Sequence, residues 1–450
     1  MRKGASTVLI IDGGGRGSAL VDAYGKSRYV KKILAVPGND MMGFNSKKLV
    51  KIYPHLKTTS INEIIEICKK ENVHLVDVAQ DNAIESGLVD KLTSLNIPAV
   101  GPTRAAGQIE WDKAWARDFG KRYGLPQPEF KVCHSLEEGE SFLKLQENKA
   151  WFVKASGLAE GKGALPANNN DEAVERIKGL SRFGEAGKIF VLEEWLQNED
   201  GSNGEEFSLF VLSDGRHYQI AGAAQDHKRV NDFDEGENTG GMGVSTPPLL
   251  MKNRLLNLVK KDIINKTIVG LIKEKRPYKG VLYLGGIVVK KKGKLTPYVI
   301  EFNARWGDPE VEAVLPSLRN DIYEVSIKIV EERLDRIKLK LDTKARVVIA
   351  GASKGYPGNY SNVKGKQIFG LEDARKISGV KIYGAGVRVI NKKYFANGGR
   401  LFYVVGEGRN VVEARMRAYR AISLINVEGN NLHFRTDIGW RDVERLNSLS

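Results

Sequence analysis

The stretch from residue 298 to residue 312 reads Tyr298-Val-Ile-Glu-Phe-Asn-Ala-Arg-Trp-Gly-Asp-Pro-Glu-Val-Glu312. Its first six residues have the two-residue period of a β-strand. Glu301 and Asn303 are two residues apart, so both side chains leave the same face of that strand. One carboxylate and one amide supply hard oxygen ligands of the kind that Mg²⁺ prefers, together with water and phosphate oxygens. Arg305 follows as a planar cation able to hold a carboxylate or a phosphate bidentately.

This stretch therefore predicts a strand that carries a divalent-cation site beside an anion-binding arginine. A solvated edge strand with a few charges is the alternative, since a Glu and an Asn at this spacing also occur by accident. The remaining motifs of the chain decide between the two interpretations.

The composition is that of a globular protein with several domains. At 450 residues the chain is too long for one ordinary core, and two to four domains are expected. The net charge is +15, which can indicate a nucleic-acid partner. Here the Lys and Arg residues are scattered, and no basic stripe with interleaved aromatic residues is present. The charge favours a basic cleft for small phosphorylated substrates, and no nucleic-acid partner is expected.

Cysteine usage and hydropathy indicate the compartment. Cys68 and Cys133 share no motif, so no disulfide framework organises the chain and a reducing compartment is expected. The first residues lack the apolar segment and cleavage site of a signal peptide. The sequence nowhere holds the roughly 18 consecutive apolar residues that a transmembrane helix needs. We expect a cytoplasmic protein with no membrane partner.

The amino-terminal segment predicts a doubly wound α/β domain that ends near residue 103. An apolar run at 8–11 leads into the glycine-rich turn 12–17 and then into a helix at 18–24, and backbone amides at such a helix start can hold an anion. Further strands are predicted at 33–36, 75–78 and 99–100, with helices near 62–71 and 83–95.

This turn is not the full dinucleotide fingerprint. Ser18 stands at the third glycine position, and the second strand ends in Pro37-Gly-Asn39 rather than in an acid. The pattern favours the phosphate of a mononucleotide-like ligand with Arg16 as counter-charge, and a plain tight turn is the alternative. Asp81 follows the 75–78 strand, at the sheet edge where such folds bind ligands.

The middle of the chain holds a second glycine-rich segment. A helix is predicted from Arg104 to Tyr123, followed by a strand at 151–154 that carries Lys154. Residues 155–163 then read Ala-Ser-Gly-Leu-Ala-Glu-Gly-Lys-Gly, which lacks the spacing of a Walker A loop. The pattern favours a flexible flap that closes over phosphates, with Lys162 facing the anion. A surface hairpin is the alternative.

Acids and a third glycine-rich segment follow. The predicted strand 189–196 ends with Glu193 and Glu194, which suit an adenine amine or a ribose, and Glu206 precedes the predicted strand 207–212. Residues 237–243 contain three glycines and are predicted to be a binding loop. His227 is either a site residue or a satisfied loop histidine, and no cluster has zinc spacing.

The carboxyl-terminal third predicts a mixed fold. A helix is expected at 253–275, a buried strand at 280–289 and a helix at 321–334. A final α+β portion begins near residue 345, turns at 355–358 and ends with a helix around 412–424.

Seven motifs together carry a resemblance to a known family. They are Val36-Pro-Gly-Asn39, Gly101-Pro-Thr103, Ser156-Gly-Leu-Ala-Glu-Gly-Lys-Gly163, Gln225-Asp-His-Lys-Arg229, Asn238-Thr-Gly-Gly-Met-Gly243, Glu301-Phe-Asn-Ala-Arg-Trp-Gly-Asp-Pro-Glu310 and Thr436-Asp-Ile-Gly-Trp440. In this order, over essentially the whole chain, they resemble the phosphoribosylamine–glycine ligases of the ATP-grasp superfamily.

Four departures from the family pattern are visible. The family's usual Arg-Glu-His is Arg16-Gly-Ser18 here, Ala155-Ser156 stands where Ala-Asp is common, and Trp306 replaces Phe or Leu. Val78-Ala-Gln-Asp81 replaces Val-Gly-Pro-Glu.

The resemblance implies a fold and an activity. It implies an α/β and α+β multidomain protein, with an amino-terminal doubly wound parallel-sheet domain at 1–103 that binds a phosphoribosyl group. An ATP-grasp region at 104–335, with a small flap subdomain at about 125–195, and a carboxyl-terminal α+β domain at 336–450 would follow. The activity would be ATP-dependent joining of glycine to 5-phosphoribosylamine through glycyl phosphate, in purine biosynthesis.

The resemblance also assigns roles to residues. Glu301 and Asn303 would hold Mg²⁺ or Mn²⁺, and Arg305, Asp226 and Lys228 would be catalytic. The ATP-binding residues would be Lys113, Lys154, Gly157, Gly161, Lys162, Gly163, Glu193, Glu194, Trp195, Leu196 and Glu206. The substrate-binding residues would be Gly14, Gly15, Arg16, Asn39, Asp81, Asn238, Thr239 and Gly240.

Alternatives to this function stay open from sequence alone. They are an ATP-grasp ligase for another acid or amine, a nucleotide-binding paralogue without turnover, and a basic nucleic-acid-binding protein. A monomer and a dimer are equally compatible with the sequence. The strand 282–289 carries no acid, so a second metal held fully by the protein is not expected.

Overall fold

The amino-terminal region is a parallel sheet covered by helices. The structure is a computed structural model that describes residues 3–159 and 163–448. The strand order is β3-β2-β1-β4-β5, all parallel, and β1 is buried along its whole length. The elements are β1 (Ser6–Asp12), α1 (Gly15–Lys26), β2 (Val30–Pro37), β3 (Leu49–Ile52), α2 (Ile61–Lys70), β4 (Leu75–Val78), α3 (Asp81–Glu85), α4 (Leu88–Ser94) and β5 (Ala99–Val100).

The doubly wound sheet predicted from the sequence is confirmed, with two corrections in its elements. The edge strand β3 was not predicted, because it is short and only partly covered. The single helix predicted at 83–95 is wrong, since Gly87 adopts φ +82° and separates α3 from α4. A left-handed residue ends an α-helix because it turns the chain out of the helical path.

The next region contains a small antiparallel sheet with its own core. Its strand order is β6-β9-β7-β8, and Trp151, Phe190 and Leu192 lie in that core. Because this core is separate, we call this sheet with the helices at 136–144 and 170–178 the flap unit. The elements are α5 (Arg104–Trp111), α6 (Lys113–Arg122), β6 (Phe130–Cys133), α7 (Leu136–Lys144), β7 (Trp151–Ala155), β8 (Ala164–Ala167), α8 (Asn170–Lys178) and β9 (Phe190–Glu194).

The single helix predicted from Arg104 to Tyr123 is also wrong. Asp112 has an extended backbone (φ −126°, ψ 92°), and its side chain accepts the Trp115 N–H at 3.0 Å. That bond is an N-cap, so Asp112 begins a second helix in a new direction. The break places the start of α6, with Lys113, beside the glycine-rich segment.

The rest of the chain builds one long antiparallel sheet. Its order is β16-β15-β10-β11-β14-β17-β22-β19, and β24 pairs with β17. The elements before residue 336 are β10 (Glu205–Asp214), β11 (Tyr218–Asp226), β12 (Arg229–Asn231), β13 (Glu235–Asn238), β14 (Gly243–Thr246), α9 (Asn253–Val259), α10 (Asn265–Lys273), β15 (Lys279–Lys291), β16 (Lys294–Asn303), α11 (Glu310–Val314) and α12 (Ile322–Val330).

The elements after residue 336 complete this sheet and add a small second one. They are β17 (Ala345–Ser353), β18 (Gln367–Phe369), α13 (Leu371–Ala374), β19 (Val380–Gly384), β20 (Val387–Ile390), β21 (Lys393–Ala396), β22 (Arg400–Gly408), α14 (Val411–Ile422), β23 (Asn426–Val427), β24 (Leu432–His433) and α15 (Trp440–Asn447). A π-helical turn joins α9 to α10, so the helix predicted at 253–275 is nearly continuous. Pairing of β14 with β17 makes one sheet of the strands on both sides of residue 336.

Part of the loop predicted at 237–243 is a strand. β13 pairs with β12 as a short hairpin, and only the residues between Asn238 and Gly243 are irregular. Across residues 3–159 and 163–448, we find no helix with the length and apolar character to span a membrane.

Candidate active site

Glu301 and Asn303 lie side by side at the end of β16, as their spacing predicts. Glu301 stands opposite Gly285 of β15, where a Cβ would approach the Glu301 Cγ to 3.1 Å. Neither Glu301 nor Asn303 has a side-chain hydrogen bond to any residue that the structure describes, and the Asn303 Nδ2 is buried without a partner. Two uncommitted polar side chains on one face fit a divalent cation that takes few protein ligands.

The neighbouring strand adds no acid to this pair. β15 runs from Lys279 to Lys291 and carries no carboxylate. Within the described residues, no group of three or more His, Cys, Asp and Glu side chains has metal-binding geometry. These residues therefore suit a hard cation completed by non-protein oxygens, not a closed zinc-type site.

Four cations surround the Glu301 carboxylate. Desolvation acts to raise the pKa of Glu301, but the charges of Lys228, Lys154, Lys113 and Arg305 outweigh it and lower the pKa to about 2. Glu301 is therefore ionised at neutral pH. The cations come from α6, β7 and the loops after β11 and β16, so the fold concentrates positive charge at this point.

Lys154 belongs to a buried ion network. Its Nζ lies 2.7 Å from the Glu193 Oε2 and donates to the Ile300 carbonyl at 3.3 Å. The Arg117 Nε donates to the Glu193 Oε1 at 2.7 Å, and its Nη2 donates to the Glu193 Oε2 at 2.8 Å. The carboxylate of Glu193, predicted to meet adenine, is thus fully engaged by two cations.

Arg117 was missed by the sequence analysis. It has a signal in retrospect, because Ala114, Arg117 and Gly120 recur at three-residue spacing and all lie on the buried side of α6. A charged residue on the buried face of an amphipathic helix must have a partner. The sequence does not say which partner.

Arg305 is held by Glu110, another residue to which the sequence analysis assigned no role. Its Nη2 lies 3.1 Å from the Glu110 Oε1, while the Glu110 Oε2 accepts the Ala304 N–H at 2.7 Å. Burial raises the pKa of Glu110 to about 7, although the charge of Arg305 acts to lower it. The Nε of Arg305 is buried with no partner in the described part of the chain. Glu110 therefore orients an arginine that keeps a free donor.

The glycine-rich segment packs against the start of α6. The Lys113 N–H donates to the Ser156 carbonyl at 3.0 Å, and the Ala114 N–H donates to the Ser156 Oγ at 3.0 Å. The Lys113 Nζ has a long contact of 3.5 Å with the Gly157 carbonyl. Gly163 lies beside Ala159, whereas the predicted ligands Gly161 and Lys162 lie outside the described residues.

The other predicted nucleotide contacts lie in or close after β9 and near the start of β10. The Trp195 ring is 4.8 Å from the Phe152 ring, centroid to centroid, and Leu196 packs on Ile287 and Val289. Glu194 ends β9 and is half-buried. Glu206 pairs with Lys228 at 3.0 Å.

Asp226 lies next to the third glycine-rich loop. A Cβ at Gly241 would stand 2.8 Å from the Asp226 Oδ1, which is buried without a partner in the described structure. Desolvation, together with the charge of Glu310, raises the pKa of Asp226 well above its usual value. Glu310 accepts the Tyr283 hydroxyl at 2.7 Å. Asp226 and Lys228 thus extend the site from Glu301 toward this loop.

A cavity of about 1040 Å³ opens on the other side of the loop. Three of the predicted substrate-binding residues, Gly14, Gly15 and Asn39, line it. Lining residues that the sequence analysis missed are Asp308, Tyr356, Tyr360, Arg388, Arg400 and Tyr403. The cavity therefore lies between the carboxyl edge of the parallel sheet and the carboxyl-terminal region.

Arg16 and Asp81 are not in the lining of this cavity. Arg16 is buried, with its Nε 2.7 Å from the Asp12 carboxylate and its Nη1 donating to the Trp306 carbonyl at 2.8 Å. The backbone amides at the start of α1 also have acceptors within the protein. The Gly14 and Gly17 amides donate to the Asp12 carboxylate, and the Arg16 amide donates to the Asp308 carboxylate. Positive charge in the cavity comes from Arg388 and Arg400 instead.

The loop after β13 contacts both Lys228, near Glu301, and Arg400 of the large cavity. The Thr239 Oγ1 donates to the Lys228 carbonyl at 2.8 Å, and the Gly240 carbonyl accepts Arg400 Nη1 at 2.8 Å. Asn238 pairs with Arg229 at the base of the hairpin. His227 is a buried histidine whose Nε2 accepts the Gly439 N–H at 3.1 Å.

Family models match the chain from end to end. The phosphoribosylglycinamide synthetase N domain matches residues 6–110, its ATP-grasp (A) domain residues 111–311, and its C domain residues 346–441.

Curated relatives match over nearly the full chain. A phosphoribosylamine–glycine ligase of Chlorobaculum tepidum is 35% identical over 435 residues, which is 96% of this chain and 99% of the relative. The trifunctional purine biosynthetic protein adenosine-3 of Bos taurus is 36% identical over 451 residues, covering 98% of this chain but 42% of the relative. The chain thus spans less than half the length of the trifunctional relatives that it matches.

Solved structures agree with this. The phosphoribosylamine–glycine ligase of Thermotoga maritima has a TM-score of 0.79 at 27% identity, covering 96% of this chain and 99% of that one. A biotin carboxylase domain of Hydrogenobacter thermophilus 2-oxoglutarate carboxylase shares the fold at 15% identity, with a TM-score of 0.70 and coverage of 95% and 91%. By sequence, domain order and fold, this chain belongs to the phosphoribosylamine–glycine ligase (phosphoribosylglycinamide synthetase) family of ATP-grasp proteins.

Proposed function

We propose that this protein is an ATP-dependent ligase that joins glycine to 5-phosphoribosylamine, giving glycinamide ribonucleotide, ADP and phosphate. The observation that carries the proposal is the uncommitted Glu301–Asn303 pair set among four cations. Such a site suits a triphosphate with its metal, because it offers both oxygen ligands and excess positive charge. Family membership names the acid and the amine.

The buried charges support a nucleotide phosphate site. Arg117, Lys154 and Glu193 together carry a net positive charge in a position closed to water. Lys113 adds a further cation whose Nζ has only a long contact within the described structure. Uncompensated buried cations are unfavourable unless an anion binds there. The phosphates of ATP would supply that anion.

Mg²⁺, or Mn²⁺, would be held by Glu301 and Asn303. The free side chains of this pair fit such an ion, which when bound neutralises charge on the phosphate oxygens. The lowered pKa of Glu301 keeps its carboxylate available as a ligand at neutral pH.

Arg305 would bind the carboxylate of glycine. That carboxylate oxygen attacks the γ-phosphorus in line, the bond to the ADP oxygen breaks, and glycyl phosphate forms. Positioning and charge neutralisation supply most of the rate enhancement in such a transfer. The buried Arg305 Nε, free of described partners, and the Glu110 anchor favour this role.

The acceptor would occupy the large cavity. Its phosphate would bind Arg388 and Arg400, with Gly14, Gly15 and Asn39 forming the opposite wall. The amine nitrogen then bonds to the carbonyl carbon of glycyl phosphate, phosphate leaves, and the nitrogen loses a proton. Asp226 lies beside Gly241, whose carbonyl contacts Arg400 of the cavity, and the ionised Asp226 carboxylate would accept that proton.

We also propose the division of the chain into 1–103, 104–335 with a flap subdomain at about 125–195, and 336–450. The separate core of the flap unit supports movement of that unit over the nucleotide. A cytoplasmic location fits the two buried free cysteines. A monomer and a dimer both fit the proposal.

One assay tests the proposed function. ADP release is measured by a coupled assay with both substrates present and with each omitted in turn. We expect release only with ATP, glycine and 5-phosphoribosylamine together. Turnover with another amino acid and none with glycine would contradict the substrate assignment, and MgATP binding without phosphate release would contradict an enzymatic role.

A further inference from the structure

Arg117 connects the flap unit to the strand that carries Glu301. It lies in α6 and its side chain is only 5% exposed. On one side it donates to the Glu193 carboxylate of β9. On the other side its Nη1 donates to the Val299 carbonyl at 3.0 Å and its Nη2 to the Ile300 carbonyl at 2.6 Å. A single guanidinium thus joins two sheets that have separate cores.

All five N–H groups of Arg117 have an acceptor. Besides the two Glu193 oxygens and the two carbonyls, the Gln127 Oε1 lies 3.5 Å from Nη1. The planar fork of arginine can serve acceptors on opposite sides at once, whereas a lysine ammonium donates from one point. The position therefore uses the shape of arginine as well as its charge.

The contacts of Arg117 end beside two residues of the nucleotide site. Ile300 directly precedes Glu301, and Glu193 is also the ion-pair partner of Lys154 at 2.7 Å. The Lys154 Nζ donates to the same Ile300 carbonyl that Arg117 binds. Arg117 therefore shares two acceptors with Lys154, the Glu193 carboxylate and the carbonyl that precedes Glu301.

Arg117 also shares the negative charge of Glu193. Without the guanidinium, Glu193 would be the full counter-charge of Lys154 and would compete with a phosphate for it. With the guanidinium present, the three charges sum to +1, and Lys154 keeps affinity for an anion.

From this geometry we infer that Arg117 is a positioning residue for nucleotide binding: it aligns Lys154 with Glu301 and keeps Glu193 from neutralising Lys154. The inference rests on the proposed function for the identity of the nucleotide. It assigns to Arg117 no contact with glycine or with the acceptor.

The test compares Arg117→Lys and Arg117→Met with a matched control on the same helix. Arg122 also pairs with a carboxylate, the Glu274 Oε1 at 2.7 Å, but its side chain is 47% exposed. The quantities to be measured are the Kd of MgATP by titration calorimetry, the KM values for ATP and glycine, and the Tm.

We expect both Arg117 variants to bind MgATP at least about tenfold more weakly, the change that follows from losing one or two charge-assisted bonds. The KM for glycine is expected to stay within about twofold of wild type, since Arg305 keeps its own anchor. Arg122→Met is expected to bind MgATP within about twofold of wild type, because exposed ion pairs contribute little. A loss of stability alone would not separate the two KM values in this way.

Wild-type MgATP affinity in Arg117→Lys overturns the inference, as does an equal rise in both KM values. If Arg117→Met does not fold, the test rests on Arg117→Lys. If Arg117→Lys does not fold either, the role of Arg117 is in stability alone and the inference is overturned. The calorimetry needs no glycine or acceptor, so it distinguishes this inference from the proposed function. A wild type that binds MgATP but makes no product would contradict only the latter.

Discussion

Substitutions of Glu110 allow its effect on stability to be measured separately from its effect on activity. Its Oε1 pairs with Arg305 and its Oε2 accepts the Ala304 N–H, so the carboxylate fixes both the side chain and the backbone that follow β16. Glu110→Gln keeps an oxygen acceptor for the Ala304 N–H but removes the charge. Glu110→Ala removes both interactions.

The magnitudes follow from the burial of this pair. Glu110→Ala removes the acceptor of the buried Ala304 N–H and leaves a cavity beside Arg305, which costs roughly 2–5 kcal/mol of stability. In the wild type, burial raises the pKa of Glu110 from 4.5 to about 7. The folded state therefore binds a proton more tightly than the unfolded state, and stability falls as pH rises from about 4.5 to 7. At pH 8 this cost is roughly 3 kcal/mol at most.

Glu110→Gln removes that pH-dependent cost. We expect its free energy of unfolding to exceed that of the wild type at pH 8 and to approach it at pH 5. We also expect turnover to fall by about tenfold to a hundredfold, because Arg305 loses the anchor that orients it. At pH 8, Glu110→Ala is thus expected to be less stable than the wild type and Glu110→Gln more stable, while both variants are expected to lose activity.

Urea unfolding at pH 5 and pH 8 measures the stabilities, and the coupled ADP assay measures turnover. Glu274→Gln is the matched control, since it removes one charge from an exposed pair with Arg122 and is expected to change stability by less than about 1 kcal/mol. Wild-type turnover in Glu110→Gln would refute the anchoring role. A stability difference that does not grow between pH 5 and pH 8 would refute the burial argument.

Three further perturbations test other parts of the structure. Glu301→Ala is expected to lower turnover by at least about a hundredfold with the fold intact, and near-normal turnover would rule out its metal role. Gly15→Ala would bring a Cβ into the Tyr403 ring and to 2.6 Å from the Glu312 Oε1, so unfolding experiments should record a loss of roughly 1–3 kcal/mol; unchanged stability would contradict this packing. Burial raises the pKa of Asp77 from 3.8 to about 6, so the free energy of unfolding should decrease as the pH rises from about 4 to 6. Asp77→Asn is then expected to gain up to roughly 3 kcal/mol at pH 7 and nothing at pH 4, as measured by denaturation at both.

Elements with a regular period could be predicted from the sequence. The alternation through residues 298–303 gives β16, and the two-residue spacing places Glu301 and Asn303 on one face because that geometry is local. The buried apolar runs of β1, β2 and β4 likewise indicate a parallel sheet. In each case the information lies within one element.

Helix interruptions were the common error in local structure. Both Gly87 and Asp112 break a helix that apolar periodicity predicts as continuous. Asp112 could have been found as an N-cap, since an Asp before a helical run is a start signal. Gly87 is harder to identify, because glycine within a helix is often tolerated.

Partners of buried charges could not be predicted, because they are distant in the chain. Arg117 and Glu193 are 76 residues apart, and Glu110 and the Ala304 amide are 194 apart. Arg16 illustrates the same limit: its position after a glycine turn indicates a phosphate contact, yet the fold turns it toward Asp12 and the Trp306 carbonyl. A charge in sequence does not state whether it faces a ligand or another charge.

The site and the fold form together for a physical reason. The charged groups of the nucleotide site come from several separate segments of the chain, and burying any one alone is unfavourable by several kcal/mol, about the whole margin of stability of a domain. Arg117 is satisfied only when α6, β9 and β16 meet, and Glu110 only when α5 meets the end of β16. The same contacts that make assembly of these elements favourable therefore place Lys154, Arg305 and Glu301 around one point, with positive charge left over for an anion.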